Sequence, residues 1–184
     1  GDTNTQTGTP FTIDGNSMNL TINQDGMGNS VLGNFIGGNS TGSILQSGNS
    51  NTTTLNYGNF GTDSGTLGIN IYGNSNTTSL NIGTTAESTG YNYSLNIGSA
   101  TSSNSNSNTV SSTINSKNVS TSISILGSNN SVTTAQSGAS GHTLNISNIG
   151  SGNTISATQD SAISANTATI NVTGNNSAVS VIQH

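Results

Sequence analysis

Along most of the chain a modest apolar residue stands at every second position, with Ser, Thr or Asn between. Reading every second residue from an asparagine that follows a turn-like pair gives Asn16, Met18, Leu20, Ile22, and then Asn29, Val31, Gly33, Phe35. The same reading gives Asn51, Thr53, Leu55, Tyr57, then Asn76, Thr78, Leu80, Ile82, and then Asn130, Val132, Thr134, Gln136. It closes with Asn153, Ile155, Ala157, Gln159 and with Asn166, Ala168, Ile170, Val172. Period-two alternation with β-branched residues predicts short strands with one buried face. Gly-Asn and Ser-Gly pairs between the sets predict tight turns.

The sets recur on a beat. Asn16 to Asn29 spans 13 residues, Asn39 to Asn51 spans 12, and Asn153 to Asn166 spans 13. Every second unit falls near 23 residues, as from Asn130 to Asn153 and from Asn153 to Asn176. Gln24 and Gln46, then Gln136, Gln159 and Gln183, keep a beat of 22 to 24. Self-similarity at such a period decides architecture before local propensity does. The expected fold is all-β: a β-solenoid of about six to seven two-strand coils, each strand lying beside its equivalent in the next coil, of either hand. At roughly 4.8 Å per coil, seven coils rise about 33 Å.

Such a fold makes use of polar residues inside. Asn16, Asn29, Asn51, Asn76, Asn130 and Asn153, with Gln46, Gln136, Gln159 and Gln183, are expected to point inward and stack as amide ladders, each donor meeting an acceptor one rung away. One solenoid domain is expected over residues 13–184, preceded by an extended arm, residues 1–12, that carries the single proline. The Ser/Asn run from Ser99 to Asn118 reads as an enlarged turn or a loop thrown off one rung. Gly58 to Gly65 and Gly83 to Gly90 read as smaller insertions.

Composition agrees with a thin core. Only 28% of the 184 residues are hydrophobic and 4% charged, against usual shares of about one half and one quarter. A disordered chain of this polarity is ordinarily rich in charge and proline, and this one is poor in both. Identical charges stacked one rung apart would repel at every step, so the low charge suits the stack. Six acids and the single base Lys117 give a net charge of −5, which argues against nucleic acid as a partner, since that requires clustered cations. No apolar run approaches the roughly 18 residues of a membrane span, so no membrane insertion is expected. A chain that lacks cysteine and begins at Gly1 fits a secreted protein whose leader has been removed.

No catalytic chemistry is legible, and no cofactor or metal is expected. His142 and His184 lie in different repeats with no ligand-spaced partner and read as solvent-exposed. The acids fall mostly at turns, and the acidic nonapeptides of calcium-binding β-rolls do not occur.

The repeats resemble those of curlins, the subunits of bacterial curli fibres, whose pattern is Ser-x5-Gln-x-Gly-x2-Asn-x-Ala-x3-Gln. Ser40, Gln46, Gly48 and Asn51 match it, as do Gln24, Gly26, Asn29 and Val31. So do Asn130, Val132, Gln136 and Gly138, and Asn153, Ile155 and Gln159; Ser177 stands six before Gln183. Gly141 departs from the expected Asn, and Tyr57 and Ile82 replace the closing Gln. The resemblance implies a secreted subunit of an extracellular, amyloid-type fibre of the bacterial surface or biofilm matrix, with itself as main partner and a nucleator or surface receptor as a further one. The strand-like ending Ser177, Ala178, Val179, Ser180, Val181, Ile182, Gln183 is expected to form the subunit interface, pairing head to tail with the next copy. Alternatives are a β-solenoid adhesin or phage spike and a surface-layer component. An ice-binding solenoid ranks last, because the Thr clusters at Thr52 to Thr54 and Thr77 to Thr78 recur only once along the sequence.

Overall fold

A computed structural model describes residues 11–58, 62–101 and 105–184. The chain opens with β1 (Thr12–Asn16) and β2 (Asn19–Asp25), followed by β3 (Ser30–Gly38) and β4 (Thr41–Ser47). The next coil holds β5 (Thr52–Tyr57), the two-residue β6 (Thr62–Asp63) and β7 (Thr66–Tyr72); the one after holds β8 (Thr77–Ile82), β9 (Ser88–Thr89) and β10 (Asn92–Ile97). Then come β11 (Thr109–Asn115) and β12 (Ser120–Leu126), β13 (Ser131–Ser137) and β14 (Thr143–Ile149), and β15 (Thr154–Gln159) and β16 (Thr167–Thr173), with β17 (Ala178–Gln183) last.

Successive long strands alternate between two sheets. One runs β17-β15-β13-β11-β8-β5-β3 and ends on β1; the other runs β16-β14-β12-β10-β7-β4-β2. Every pairing is parallel, each strand hydrogen-bonded to its equivalent one coil away. β6 and β9 continue the first sheet past the end of β3, where Gly38 faces Asp63 and Thr62 faces Ser88. This is a β-solenoid of about seven turns with no helix among the described residues.

The period-two pattern explains the two-layer coil. In β5, Thr53, Leu55 and Tyr57 are buried while Thr52, Thr54 and Asn56 are not; β8, β10 and β15 repeat this alternation. Because each strand sits in register on the next, inward residues form columns through the stack. One column in the second sheet is Ile22, Ile44, Ile69, Leu95, Ile123, Ile146, Ile170. Burying each such side chain contributes about 1.5–3 kcal/mol, so a narrow column repeated along the axis replaces a thick core.

Coil length varies from 22 to 32 residues, and the surplus leaves at corners, after β5, β8, β10 and β15. The expected irregular stretch from 99 to 118 is corrected by this. Thr109–Asn115 within it is a regular strand paired on both sides, with Val110, Ser112 and Ile114 inward. The Ser/Asn run hid it because one inward position is a serine. Of the proposed arm, residues 1–10 lie outside the described residues, and Thr12 already belongs to β1.

Candidate assembly surfaces

At the corner entering each of β3, β5, β8, β11, β13 and β15 stands an asparagine. Asn29, Asn51, Asn76, Asn108, Asn130 and Asn153 are all buried. Asn51 Nδ2 donates to Asn29 Oδ1 at 3.1 Å, and Asn76 Nδ2 to Asn51 Oδ1 at 3.1 Å. Asn108 Nδ2 donates to Asn76 Oδ1 and Asn130 Nδ2 to Asn108 Oδ1, both at 3.0 Å. The same oxygens accept the backbone N–H of the asparagine above, at 2.9–3.0 Å through Asn153. The second amide hydrogen reaches a carbonyl one coil on: Asn51 to Gly73 at 2.8 Å, Asn76 to Ser105 at 2.8 Å, Asn130 to Gly150 at 2.9 Å. Each carboxamide thereby satisfies a backbone donor and a backbone acceptor that the corner would otherwise bury without partners. At the top, Asn153 turns its amide to Asn148 Oδ1, and Ser177 takes the next place by donating its N–H to Asn153 Oδ1 at 2.8 Å.

The expected set is revised by one addition and one removal. Asn108 belongs to the column although it lay in the stretch read as irregular. Asn16 does not belong: it is exposed at the end of β1. Gly15-Asn16-Ser17-Met18 is a turn like Gly48-Asn49-Ser50-Asn51, with Ser17 and Ser50 left-handed at φ of 56° and 58°. Asn16 therefore matches the turn tip, Asn49, and Met18 the inward place.

The turn tips at the Asn49 corner, on the other side of the coil from Asn16, form a second ladder of opposite sense. Asn49 Oδ1 accepts from Met27 N at 2.9 Å, Asn74 Oδ1 from Asn49 N at 2.8 Å, and Asn106 Oδ1 from Asn74 N at 2.7 Å. Ser128 and Ser151 hydroxyls, and then Asn175 Oδ1, continue it. A glycine precedes every tip but Asn106, which follows Ser105, and close stacking dictates it: a Cβ on Gly48, at φ 121°, would stand 2.0 Å from Gly73 O.

The glutamines divide between the sheets. Gln24 Nε2 donates to Gln46 Oε1 at 2.7 Å in the second sheet. In the first, Gln136 donates to Gln159 and Gln159 to Gln183, both at 2.9 Å. Tyr57 and Ile82, which stand where the curlin pattern has Gln, share the Gln136 column with Phe35 and Ile114. Here Phe35 and Tyr57 rings lie 4.4 Å apart and Tyr91 meets Tyr57 edge-on at 5.5 Å. Tyr57 Oη donates to Ser40 Oγ at 2.6 Å, and Tyr91 Oη donates to Tyr57 Oη. Burial, then Tyr57, pushes the Tyr91 phenol well above its usual range, and burial does the same to Tyr93. Tyr91 fills the space that Gly65 leaves open; no period in the sequence signals this cluster.

His142, expected at the surface, is fully buried. Its Nδ1 accepts from Asn166 N at 3.0 Å, so the proton sits on Nε2, which lies 3.0 Å from Ser137 O. It serves as a neutral corner residue, as the asparagines do across the coil. His184 is exposed beside Asp160. Among the described residues no group of three or more His, Cys, Asp or Glu is placed to hold a metal ion, and no helix is long and apolar enough to cross a membrane.

The ends of the stack are the remaining surfaces. Ser177 and the β17 residues Ala178, Val179, Ser180, Val181, Ile182 and Gln183 pair with the β15 rung below, Ala178 to Gln183 facing Thr154 to Gln159. Val179 and Val181 are half-buried on the core, and Ile182 is 62% exposed. At the opposite end Phe11, Met18 and Leu20 cover the core only partly, beside exposed Ile13, Ile22 and Met27. Asn166 Nδ2, at the corner entering β16, is buried without a partner, whereas the amide at the opposite corner, Asn153 Nδ2, donates to Gly174 O of the following coil at 2.8 Å.

Comparison with protein-family models finds no match, and comparisons with curated proteins and with solved structures find none either.

Proposed function

We propose that the chain is the structural subunit of an extracellular filament, assembling head to tail by stacking the β17/β16 end of one copy on the β1/β2 end of the next. The observation that carries this reading is the core itself. At both ends it is half-covered, by Val179 and Val181 on one side and Phe11, Met18 and Leu20 on the other, and the outer edges of β17 and β16 pair with no further strand among the described residues. Apolar surface beside free strand donors and acceptors is the usual template for strand addition. The two ends differ, so the contact is heterologous and generates an open fibre rather than a closed pair. The activity is mechanical and adhesive, outside the cell, like that of the curlin subunits its repeats resemble; it is not enzymatic, and its principal partner is a second copy of this chain.

Negative-stain imaging of the purified chain, with and without Ser177 to His184, tests the proposal. Unbranched filaments from the parent and isolated short particles from the truncated chain are expected. Sheets or closed rings from the parent, or filaments of equal yield from both, would overturn it.

A further inference from the structure

The outward face of the first sheet is a grid of hydroxyls. Thr52, Thr77, Thr109, Ser131 and Thr154 occupy one column, and Thr54, Ser79, Ser111, Thr133 and Ser156 the next. The sequence conceals the regularity because 25, 32, 22 and 23 residues separate the successive rungs; the Thr clusters themselves recur only once, but in space a hydroxyl recurs at all ten places, Thr at six and Ser at four. We propose that this face binds ice, independently of whether the chain forms filaments.

Ice presents a neutral, rigid, periodic array of water oxygens. A single hydroxyl gains almost nothing by exchanging liquid water for such a surface, because the bonds made replace bonds already present. Only many groups held at fixed spacing bind, and they must be fixed beforehand. Here the rungs repeat at about 4.8 Å along the stack and alternate residues at about 6.6–6.8 Å across it. Threonine, at six of the ten places, is stiff at χ1, so little side-chain freedom remains to be lost there. The third column is partly tied down, Asn56 Nδ2 donating to Asn81 Oδ1 at 2.9 Å and Asn34 Nδ2 to Tyr57 O at 3.0 Å. No outward position of β5, β8, β11, β13 or β15 is charged or aromatic. The longer connections leave at corners, and none interrupts a strand. The opposite face is less regular. The second sheet also carries hydroxyls, Thr41, Thr66, Ser120, Thr143 and Thr167 in one column, but Asn92 breaks that column. Leu45, Tyr72, Leu126 and Ile149 stand outward there too, the last two 38% and 47% exposed, whereas the exposed Ile182 of the first sheet lies on β17, outside the grid.

The test compares two double variants of the full chain, each checked for parental β-sheet content and filament length. Thr77→Tyr with Thr109→Tyr breaks the grid on the first sheet; Thr66→Tyr with Ser120→Tyr makes the same change on the second. Ice growth is followed by crystal shape and by recrystallisation of a frozen film. The parent and the second-sheet variant are expected to facet growing crystals and hold grains small, and the first-sheet variant to lose both effects. Rounded crystals with the parent protein, equal loss in both variants, or retention on crystalline cellulose without any effect on ice would overturn the proposal. Repeating the assay on a chain that folds but does not assemble separates this inference from the filament reading.

Discussion

The Asn51 side chain makes four hydrogen bonds to the coils on either side of it. Its Nδ2 donates to Asn29 Oδ1 and Gly73 O, and its Oδ1 accepts both the backbone N–H and the side-chain amide of Asn76. An aspartate has the same shape and no donor. In Asn51→Asp, two acceptors would face Asn29 Oδ1 and Gly73 O in a buried corner, and a charge would lie among carbonyls. The cost at neutral pH is about 3 kcal/mol or more, read as a lowered urea midpoint with an unchanged slope. Burial raises the folded-state pKa of such a carboxyl above its unfolded value of about 3.9. The variant is therefore relatively best at pH below that value, where the neutral acid restores one donor, and weakens as pH rises through the folded pKa. Asn51→Asp with parental stability at pH 7 would show that the corner amides contribute nothing. Asn16, at an exposed turn tip, gives the matched control: Asn16→Asp is expected to be silent within about 0.5 kcal/mol.

Elements of this fold are legible in sequence to the extent that alternation is unbroken. β5, β8 and β15 alternate cleanly, and so does the inward set from Asn130 to Gln136. What was not legible has a common physical cause: in a stack, the environment of a residue is set by neighbours a whole coil away. Asn108 was hidden because the coil before it is 32 residues long. Asn16 was misplaced because a left-handed residue inverts the parity that a strand would preserve. Tyr91 and His142 fill inward corner places whose equivalents in other coils are Ser40, Gly65 and Val119, so no repeat predicts them. The corners, more than the strands, fix the stack. Gly48→Ala is the test at this scale: its methyl would meet Gly73 O at 2.0 Å with φ at 121°, and must push two rungs apart or twist the turn. A loss of about 1–3 kcal/mol is expected from the strain alone, with hydrogen-exchange protection falling first at the two adjoining corners. Parental protection there would mean that the turns adapt independently of one another.

At the scale of the whole molecule, the question is which edge of the last strand is free. Thr154 N donates upward to Ser177 O at 2.8 Å, Ser177 N donates downward to Asn153 Oδ1 at 2.8 Å, and Asp160 N donates to Gln183 O at 3.0 Å. Ser177 and Gln183 thus direct their backbone groups into the subunit. Backbone direction alternates along a strand, so Val179 and Val181 point inward as well, while Ala178, Ser180 and Ile182 point to the open edge. Proline removes a donor, and it is tolerated on an edge strand where the lost N–H faces solvent. Val179→Pro therefore breaks the β15–β17 ladder within the subunit, and any loss of assembly it causes is ambiguous. Ser180→Pro leaves that ladder whole and removes a donor only from the docking edge. The expected outcome is a chain with the parental urea midpoint that no longer elongates, and that caps growing ends when mixed with the parent. Because the proposed joint would consist of backbone hydrogen bonds and apolar contact, with Lys117 as the only basic residue other than histidine, parental filaments should persist at about 1 M salt, where the screening length is only about 3 Å. Ser180→Pro chains that elongate like the parent would place the joint away from β17, and filaments that dissolve in salt would make it electrostatic.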